Sequence, residues 1–208
     1  MIINNYFKIG YVPTPKNACT TFKHVMFSME NNFTFKEYTI NGREFHIHNF
    51  HNSYTSKEFF ENKESDLDFV FCIVRNPIDR IISCYRNRVL SHSELSNTVY
   101  EKKINSINEF IENLPDLRNN IPSIKHHTSS HCFYLGKKTN VYSHIFNINQ
   151  IDKAIDFLSK VSKKNLNLPH LQKGDSNHIT KDDISKENLN FLEKEYEQDY
   201  KIFGEYFN

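Results

Sequence analysis

The sequence predicts an α/β fold: one domain over residues 1–208, with a central parallel sheet flanked by helices. Three observations carry this. Apolar segments of strand length alternate with amphipathic segments of helical period. The strongest strand segment, Asp68 to Val74 (DFVFCIV), is apolar at alternate and intervening positions alike, as a strand covered on both faces is. The 208 residues carry no repeat, low-complexity tract or Gly/Ser/Pro linker, which suits a single domain.

The elements follow in order. Tyr6 to Val12 reads as a buried strand, followed at once by the loop Pro13-Thr14-Pro15-Lys16. A helix is expected from about Thr20, because Phe22, Val25, Met26 and Met29 recur on one helical face, with Thr20 and Thr21 as N-caps. Residues 33–48 read as strand, turn and strand around Asn41-Gly42. In the second of these strands Phe45 and Ile47 face the core, and His46 and His48 share the other face. Ser56 to Asn62 reads as a short helix. After the Asp68–Val74 strand, Asn76 is a good N-cap and Pro77 fits the first helical position, with Asp79 near the helix N-terminus. Ile78, Ile81, Ile82, Tyr85 and Val89 continue as a helical stripe. Residues 104–113 read as helix, and residues 114–140 hold no single period. Val141 to Phe146 reads as a strand, Ile151 to Val161 as an amphipathic helix, 163–183 as polar loop, and Ile184 to Phe203 as a C-terminal helix.

Composition narrows the function. Hydrophobic residues make up 38% and aromatics 14%, which argues against a disordered chain. Basic residues number 26 and acidic 25, for a net charge of +1, so the chain is not built to coat nucleic acid, although a local anion pocket is compatible with that balance. The longest apolar run, Phe69 to Val74, falls far below the ~20 residues needed to span a bilayer, and the first fifteen residues hold no signal-peptide pattern. Cys19, Cys72, Cys84 and Cys132 are scattered, without a C-x-x-C pair. A reduced, cytoplasmic protein with no transmembrane segment is expected.

Both strand–loop–helix junctions fall at the carboxyl ends of strands, where α/β sheets bind ligands. The first runs from Pro13 to Thr21. A loop entering a helix N-terminus offers free N–H groups and the positive end of the dipole, a ready anion site, to which Lys16 adds a charge and Thr20 and Thr21 add hydroxyls. It contains no glycine and is not a G-x-x-x-x-G-K-[ST] loop. An ordinary capped helix with a surface lysine fits the same spacing. The second junction places Arg75 at a strand end, where its planar fork can grip a phosphate. Ser83 lies six residues beyond Pro77, on another helical face from the isoleucines. Arg80, Arg86 and Arg88 read as solvated, or paired with Asp79 and Glu94.

These two stretches carry a family resemblance. Tyr11-Val12-Pro13-Thr14-Pro15-Lys16-Asn17-Ala18-Cys19-Thr20-Thr21-Phe22-Lys23 resembles the 5′-phosphosulfate loop of the carbohydrate sulfotransferases. Phe71 to Asn87, with Val74-Arg75-Asn76-Pro77, Arg80 and Ser83-Cys84-Tyr85, resembles their 3′-phosphate motif. The chondroitin 4-O and heparan 2-O types are the most similar in wording, and Tyr196-x-x-Asp199-Tyr200-x-x-Phe203-Gly204 is a weaker match. The resemblance implies a P-loop-kinase-like sulfotransferase architecture; the excess of Lys over Arg (20 against 6) and the abundant Asn suit an AT-rich genome, and a soluble bacterial member is expected. The resemblance also implies 3′-phosphoadenosine 5′-phosphosulfate (PAPS) as donor. Pro15, Lys16, Asn17, Ala18, Cys19, Thr20 and Thr21 would wrap the 5′-phosphosulfate, with Lys16 stabilising the departing phosphate. Arg75 and Ser83 would hold the 3′-phosphate.

A sugar hydroxyl attacks better with a positioned base. His46 and His48 are the candidates, His48 first, with His51 third, since histidine accepts a proton near neutral pH. The H-x-H resembles the paired histidines of the heparan 2-O type. His-x-His-x-x-His also suits zinc, but no cysteine or carboxylate nearby completes a sphere, and no metal is expected. His126, His127, His131 and His170 are candidates to line an acceptor cleft, without assigned roles. The chondroitin type carries His-Trp-x-Pro-Gln there, whereas this chain has Lys125-His126-His127-Thr128-Ser129-Ser130-His131.

The expected function is sulfuryl transfer from PAPS to a carbohydrate hydroxyl, with a glycan or glycan precursor as acceptor and no nucleic-acid partner. Two alternatives stand beside it. A nucleotide or nucleoside kinase needs a glycine-rich loop and a magnesium-holding carboxylate, neither of which is visible. A non-catalytic nucleotide-binding domain needs neither Lys16 nor a base.

Overall fold

The computed structural model describes residues 1–51, 67–167 and 178–207; the helix expected over Ser56–Asn62, and His170, lie outside them. The chain opens with a hairpin in which β1 (Ile2–Asn4) runs antiparallel to β2 (Ile9–Val12). The strand expected from Tyr6 therefore begins at Ile9. The cause is local: Asn4 Oδ1 accepts from the Phe7 amide at 3.0 Å and Lys8 takes φ 50°, which folds residues 5–8 into a turn.

Helix α1 (Cys19–Asn31) buries Phe22, Val25, Met26 and Met29, the stripe read from sequence. Its start differs from expectation. Ala18, in the left-handed region, is the N-cap and supplies no side-chain bond, and Thr20 and Thr21 lie inside the first turn. β3 (Tyr38–Ile40) and β4 (Arg43–Phe45) form the expected hairpin. Its turn needs positive φ at both central residues, which Asn41 (51°) and Gly42 (75°) supply. The second strand ends at Phe45. His46 caps the short helix α2 (Ile47–Phe50), so His46 and His48 do not share a strand face as expected.

β5 (Phe69–Val74) leads into α3 (Pro77–Cys84). Asn76 Oδ1 accepts from the Ile78 amide at 2.9 Å and Pro77 opens the helix, as the sequence indicated. The helix then widens into a π-helical segment, Tyr85–Ser91. Four short helices follow: α4 (Ile107–Glu112), α5 (Leu114–Asn120), α6 (Pro122–Thr128) and α7 (His131–Leu135). β6 (His144–Asn147) and α8 (Ile151–Ser162) lie close to their expected bounds. The expected C-terminal helix is two, α9 (Lys186–Glu195) and α10 (Glu197–Phe203), broken at Tyr196.

The sheet order is β1-β2-β5-β6, with β2, β5 and β6 parallel and β1 the antiparallel edge. Along β5, Phe71 and Ile73 pack with Tyr11, Phe146, α1 and α8. Val70, Cys72 and Val74 pack on the other face with Tyr134, Leu135, Phe203 and Phe207. Helices thus cover both faces, the single-domain α/β arrangement expected. A further apolar cluster joins Ile78, Ile81 and Tyr85 to Phe110, Leu117, Ile124, Leu192 and Tyr196. It fixes α3 from outside and so fixes what lies at its N-terminus.

Candidate active site

β2 and β5 are neighbours in parallel register, with Val12 opposite Cys72. Their carboxyl ends therefore deliver Pro13–Ala18 and Arg75–Pro77 side by side. Contacts between the two loops are direct. An Arg75 guanidinium N–H reaches the Lys16 carbonyl at 3.5 Å. Lys16 Nζ donates to Asn87 Oδ1, in the π-helical segment, at 2.8 Å. Ser83 lies in α3, partly exposed, between Arg80 and Asn87 in sequence. The expected phosphosulfate loop and 3′-phosphate motif thus occupy one rim of the sheet.

The first loop lacks glycine yet turns sharply. Lys16 (φ 66°) and Ala18 (φ 55°) both take left-handed conformations, each costing an L-residue about 1–2 kcal/mol. Asn17 between them holds the turn. It is fully buried; its Nδ2 donates to the Ile73 carbonyl at 2.9 Å and lies 3.0 Å from His131 Nε2. The loop therefore leads into an N-terminus of α1 that no side chain caps, which leaves amides there for an anion. Cys19 is buried at that terminus, and Thr14 Oγ1 is buried nearby in the loop with no hydrogen-bond partner among the described residues.

Positive charge gathers around these loops. Burial, with help from Arg88 and Arg75, lowers Lys16 to about 8. Burial also lowers Arg75, opposed by Asp79. His127 is pushed far down by burial and then by Arg88, Lys16, His126 and Arg80, and its Nδ1 is buried with no hydrogen-bond partner among the described residues. Burial is the larger cause in each, and the neighbouring cations add to it; an anion placed among them would offset that smaller part. The uncapped helix terminus, Lys16 and Arg75 fit a donor bearing phosphate at two ends.

His48 faces the same terminus from α2. Its Nε2 lies 2.9 Å from Thr20 Oγ1 and its Nδ1 lies 3.2 Å from Lys23 Nζ. Burial, then the Lys23 charge, lowers His48 to about 4, so it is neutral at physiological pH. His46 is more exposed, and its Nδ1 accepts the His48 amide at 3.3 Å, which uses the lone pair a base needs. His51 is lowered to about 4 by burial and Lys23, and its Nε2 is buried with no hydrogen-bond partner among the described residues.

Several residues play parts that sequence reasoning did not give them. Arg80, read as solvated or paired with an acid, is almost wholly buried; it donates to the Pro15 carbonyl at 3.4 Å and the Ser129 carbonyl at 2.8 Å. Its place in the Arg75-x-Pro77-x-x-Arg80 pattern was the available signal. Arg88 does pair with Glu94, at 3.6 Å. His131 is fully buried rather than lining an open cleft. His126 Nδ1 lies 3.1 Å from the Tyr134 hydroxyl. Lys23 and Asn87 carried no sequence signal beyond their places inside the two motifs. Among the described residues no group of three or more His, Cys, Asp or Glu is placed to hold a metal, and no helix is long and apolar enough to cross a membrane.

A model of the sulfotransferase family matches residues 1–207. No curated protein and no solved structure matches the chain.

Proposed function

The chain belongs to the sulfotransferase family, and on that premise we propose that it moves the sulfuryl group of PAPS to a carbohydrate hydroxyl. One observation carries the choice of donor: the two anion-binding loops touch, through Arg75 and the Lys16 carbonyl, at the rim where β2 and β5 end. A single ligand with a 5′-phosphosulfate and a 3′-phosphate bridges two such loops. A nucleoside triphosphate needs one glycine-rich loop and a magnesium carboxylate, and the Pro13–Ala18 loop has no glycine.

In this reading Pro15 to Thr21 hold the phosphosulfate, and Arg75 and Ser83 hold the 3′-phosphate. Fixing both ends aims the sulfur for in-line attack, which lowers the entropic part of the barrier. Lys23 Nζ donates to His48 Nδ1, which leaves the ring proton on Nε2 toward Thr20 Oγ1. Once the bound donor draws Lys23 Nζ away, the ring proton moves to Nδ1 and Nε2 takes the proton of the attacking hydroxyl as the new O–S bond forms. Thr20 gives up its contact with that nitrogen when its hydroxyl turns to the donor. Lys16 stabilises the charge left on the 5′-phosphate as the S–O bond breaks and 3′,5′-ADP leaves. His46, beside His48 with ring centroids 5.7 Å apart, orients the acceptor in this reading. The free cysteines suit a reducing compartment, and in this reading the acceptor is a lipid-linked or nucleotide-linked glycan precursor.

Variants Lys16→Ala and His48→Ala test the assignment. Sulfate transfer falls at least a hundredfold in each, while 3′,5′-ADP still binds measurably. Unchanged rates in both variants remove these residues from the mechanism, and transfer confined to proteins or small phenols removes the carbohydrate acceptor.

A further inference from the structure

Beneath the two loops lies a buried polar chain that the proposed mechanism does not use. Asp199, in α10, and His131, which opens α7, are both fully buried. Asp199 Oδ2 accepts from the His131 amide at 2.7 Å and lies 3.1 Å from His131 Nδ1. Asp199 Oδ1 accepts from the Cys132 amide at 2.9 Å. On the other side of the ring, His131 Nε2 lies 3.0 Å from Asn17 Nδ2 and 3.5 Å from the Arg75 amide.

Donor and acceptor chemistry fixes the ring's state. Asn17 Nδ2 and the Arg75 amide can only donate, so Nε2 must carry the lone pair. The ring proton then sits on Nδ1 and is given to Asp199, which burial alone would raise but the bonds from His131 and Cys132 hold below its usual value. Burial, and then Arg80, lowers His131 itself to about 4, so the ring is neutral. Arg80 Nη1, 3.3 Å from Nδ1, meets an N–H and makes no bond there; Arg80 instead donates to the Pro15 carbonyl through Nε and to the Ser129 carbonyl through Nη2.

Resting on the PAPS reading above, we propose that His131 is a positioning residue for both ends of the donor: its Nε2 lone pair holds Asn17 of the phosphosulfate loop and the backbone of Arg75, and Asp199 sets its tautomer. Through this one atom the two anion loops share a fulcrum. Asn17 in turn holds the strained Lys16–Ala18 turn and the end of β5. The C-terminal helix thereby acts on a site it does not line.

Two substitutions separate this role from mere core filling. His131→Gln keeps an acceptor oxygen where Nε2 stands, whereas His131→Asn keeps a donor toward Asp199 but loses that acceptor. Both are titrated calorimetrically with 3′,5′-ADP, and melting is recorded for each. The expected result is near wild-type affinity for His131→Gln and about tenfold weaker binding for His131→Asn at similar melting temperature. Equal loss in the two variants, or none in either, overturns the proposal. Should His131→Asn not fold, the wild-type chain still decides. Nitrogen-15 histidine spectra are expected to show His131 with Nδ1 protonated and Nε2 bare, and the opposite tautomer or an imidazolium overturns it. If the wild type binds 5′-AMP or ATP better than 3′,5′-ADP, the donor reading fails, and the tautomer measurement judges the Asp199–His131–Asn17 chain separately.

Discussion

Lys16 and His48 have opposite protonation requirements, and the site meets both near neutral pH. His48 must be neutral to take a proton, and its value of about 4 leaves it so above that pH. Lys16 must be charged to stabilise the leaving phosphate, and its value of about 8 keeps it so below that pH. The kcat/KM profile, which reports the free enzyme, is therefore expected to rise through about pH 4 and fall through about pH 8. Lys16→Arg moves the alkaline limb upward, because guanidinium stays charged. Lys23→Met removes a charge that depresses His48, so the acid limb shifts to higher pH. A pH–rate series on the three proteins checks this, and limbs that do not respond to either substitution take Lys16 and His48 out of the reaction. The sequence displayed these residues because both motifs are continuous in the chain. It hid Arg80 and His131, whose partners Ser129, Asp199, Asn17 and Arg75 are 49 to 114 residues distant. A buried arginine cannot be told from a solvated one until the elements that cover it are placed.

Short elements set the geometry, and their legibility followed their length and local chemistry. α1 and α8, of 13 and 12 residues, each display enough of an apolar stripe to be read. α5, α6 and α7 have five to seven residues, with Pro115 and Pro122 opening two of them, so no period develops between residues 114 and 135. The hidden histidine that steadies both loops sits in that stretch. At α3 the cap was legible because Asn76 and Pro77 act on their immediate neighbours. Asn76→Ala removes the bond to the Ile78 amide and one from the Tyr200 hydroxyl at 3.2 Å. A loss of about 1 kcal/mol in urea unfolding is expected. Asn17→Ala has a different effect. It frees a turn with two left-handed residues and removes the bond to the Ile73 carbonyl, so unfolding free energy falls by about 2 kcal/mol and 3′,5′-ADP binding is lost with it. Binding at wild-type strength in this variant contradicts the role given to the turn.

At the scale of the whole molecule, the sheet sorts charge from apolar surface. Helices cover both faces, and uncapped backbone and cations meet at the carboxyl rim. Burying neutral histidines there makes the fold sensitive to acid. His48, His51 and His131 stand at about 4 against an ordinary 6.5, so between those values the unfolded chain binds more protons than the native one. Stability therefore falls as pH drops from about 6.5 toward about 4. Melting temperatures across that range are expected to decline, less steeply in His131→Gln. A flat profile contradicts the burial of these rings in their neutral form.

The two-ended grip on one donor is tested most directly by thermal-shift titration with 3′,5′-ADP, 5′-AMP and ATP, with and without magnesium, on the wild type and Arg75→Ala. The largest stabilisation is expected from 3′,5′-ADP, independent of magnesium, with the advantage over 5′-AMP lost in Arg75→Ala. Equal response to 3′,5′-ADP and 5′-AMP, or a magnesium-dependent preference for ATP, contradicts it.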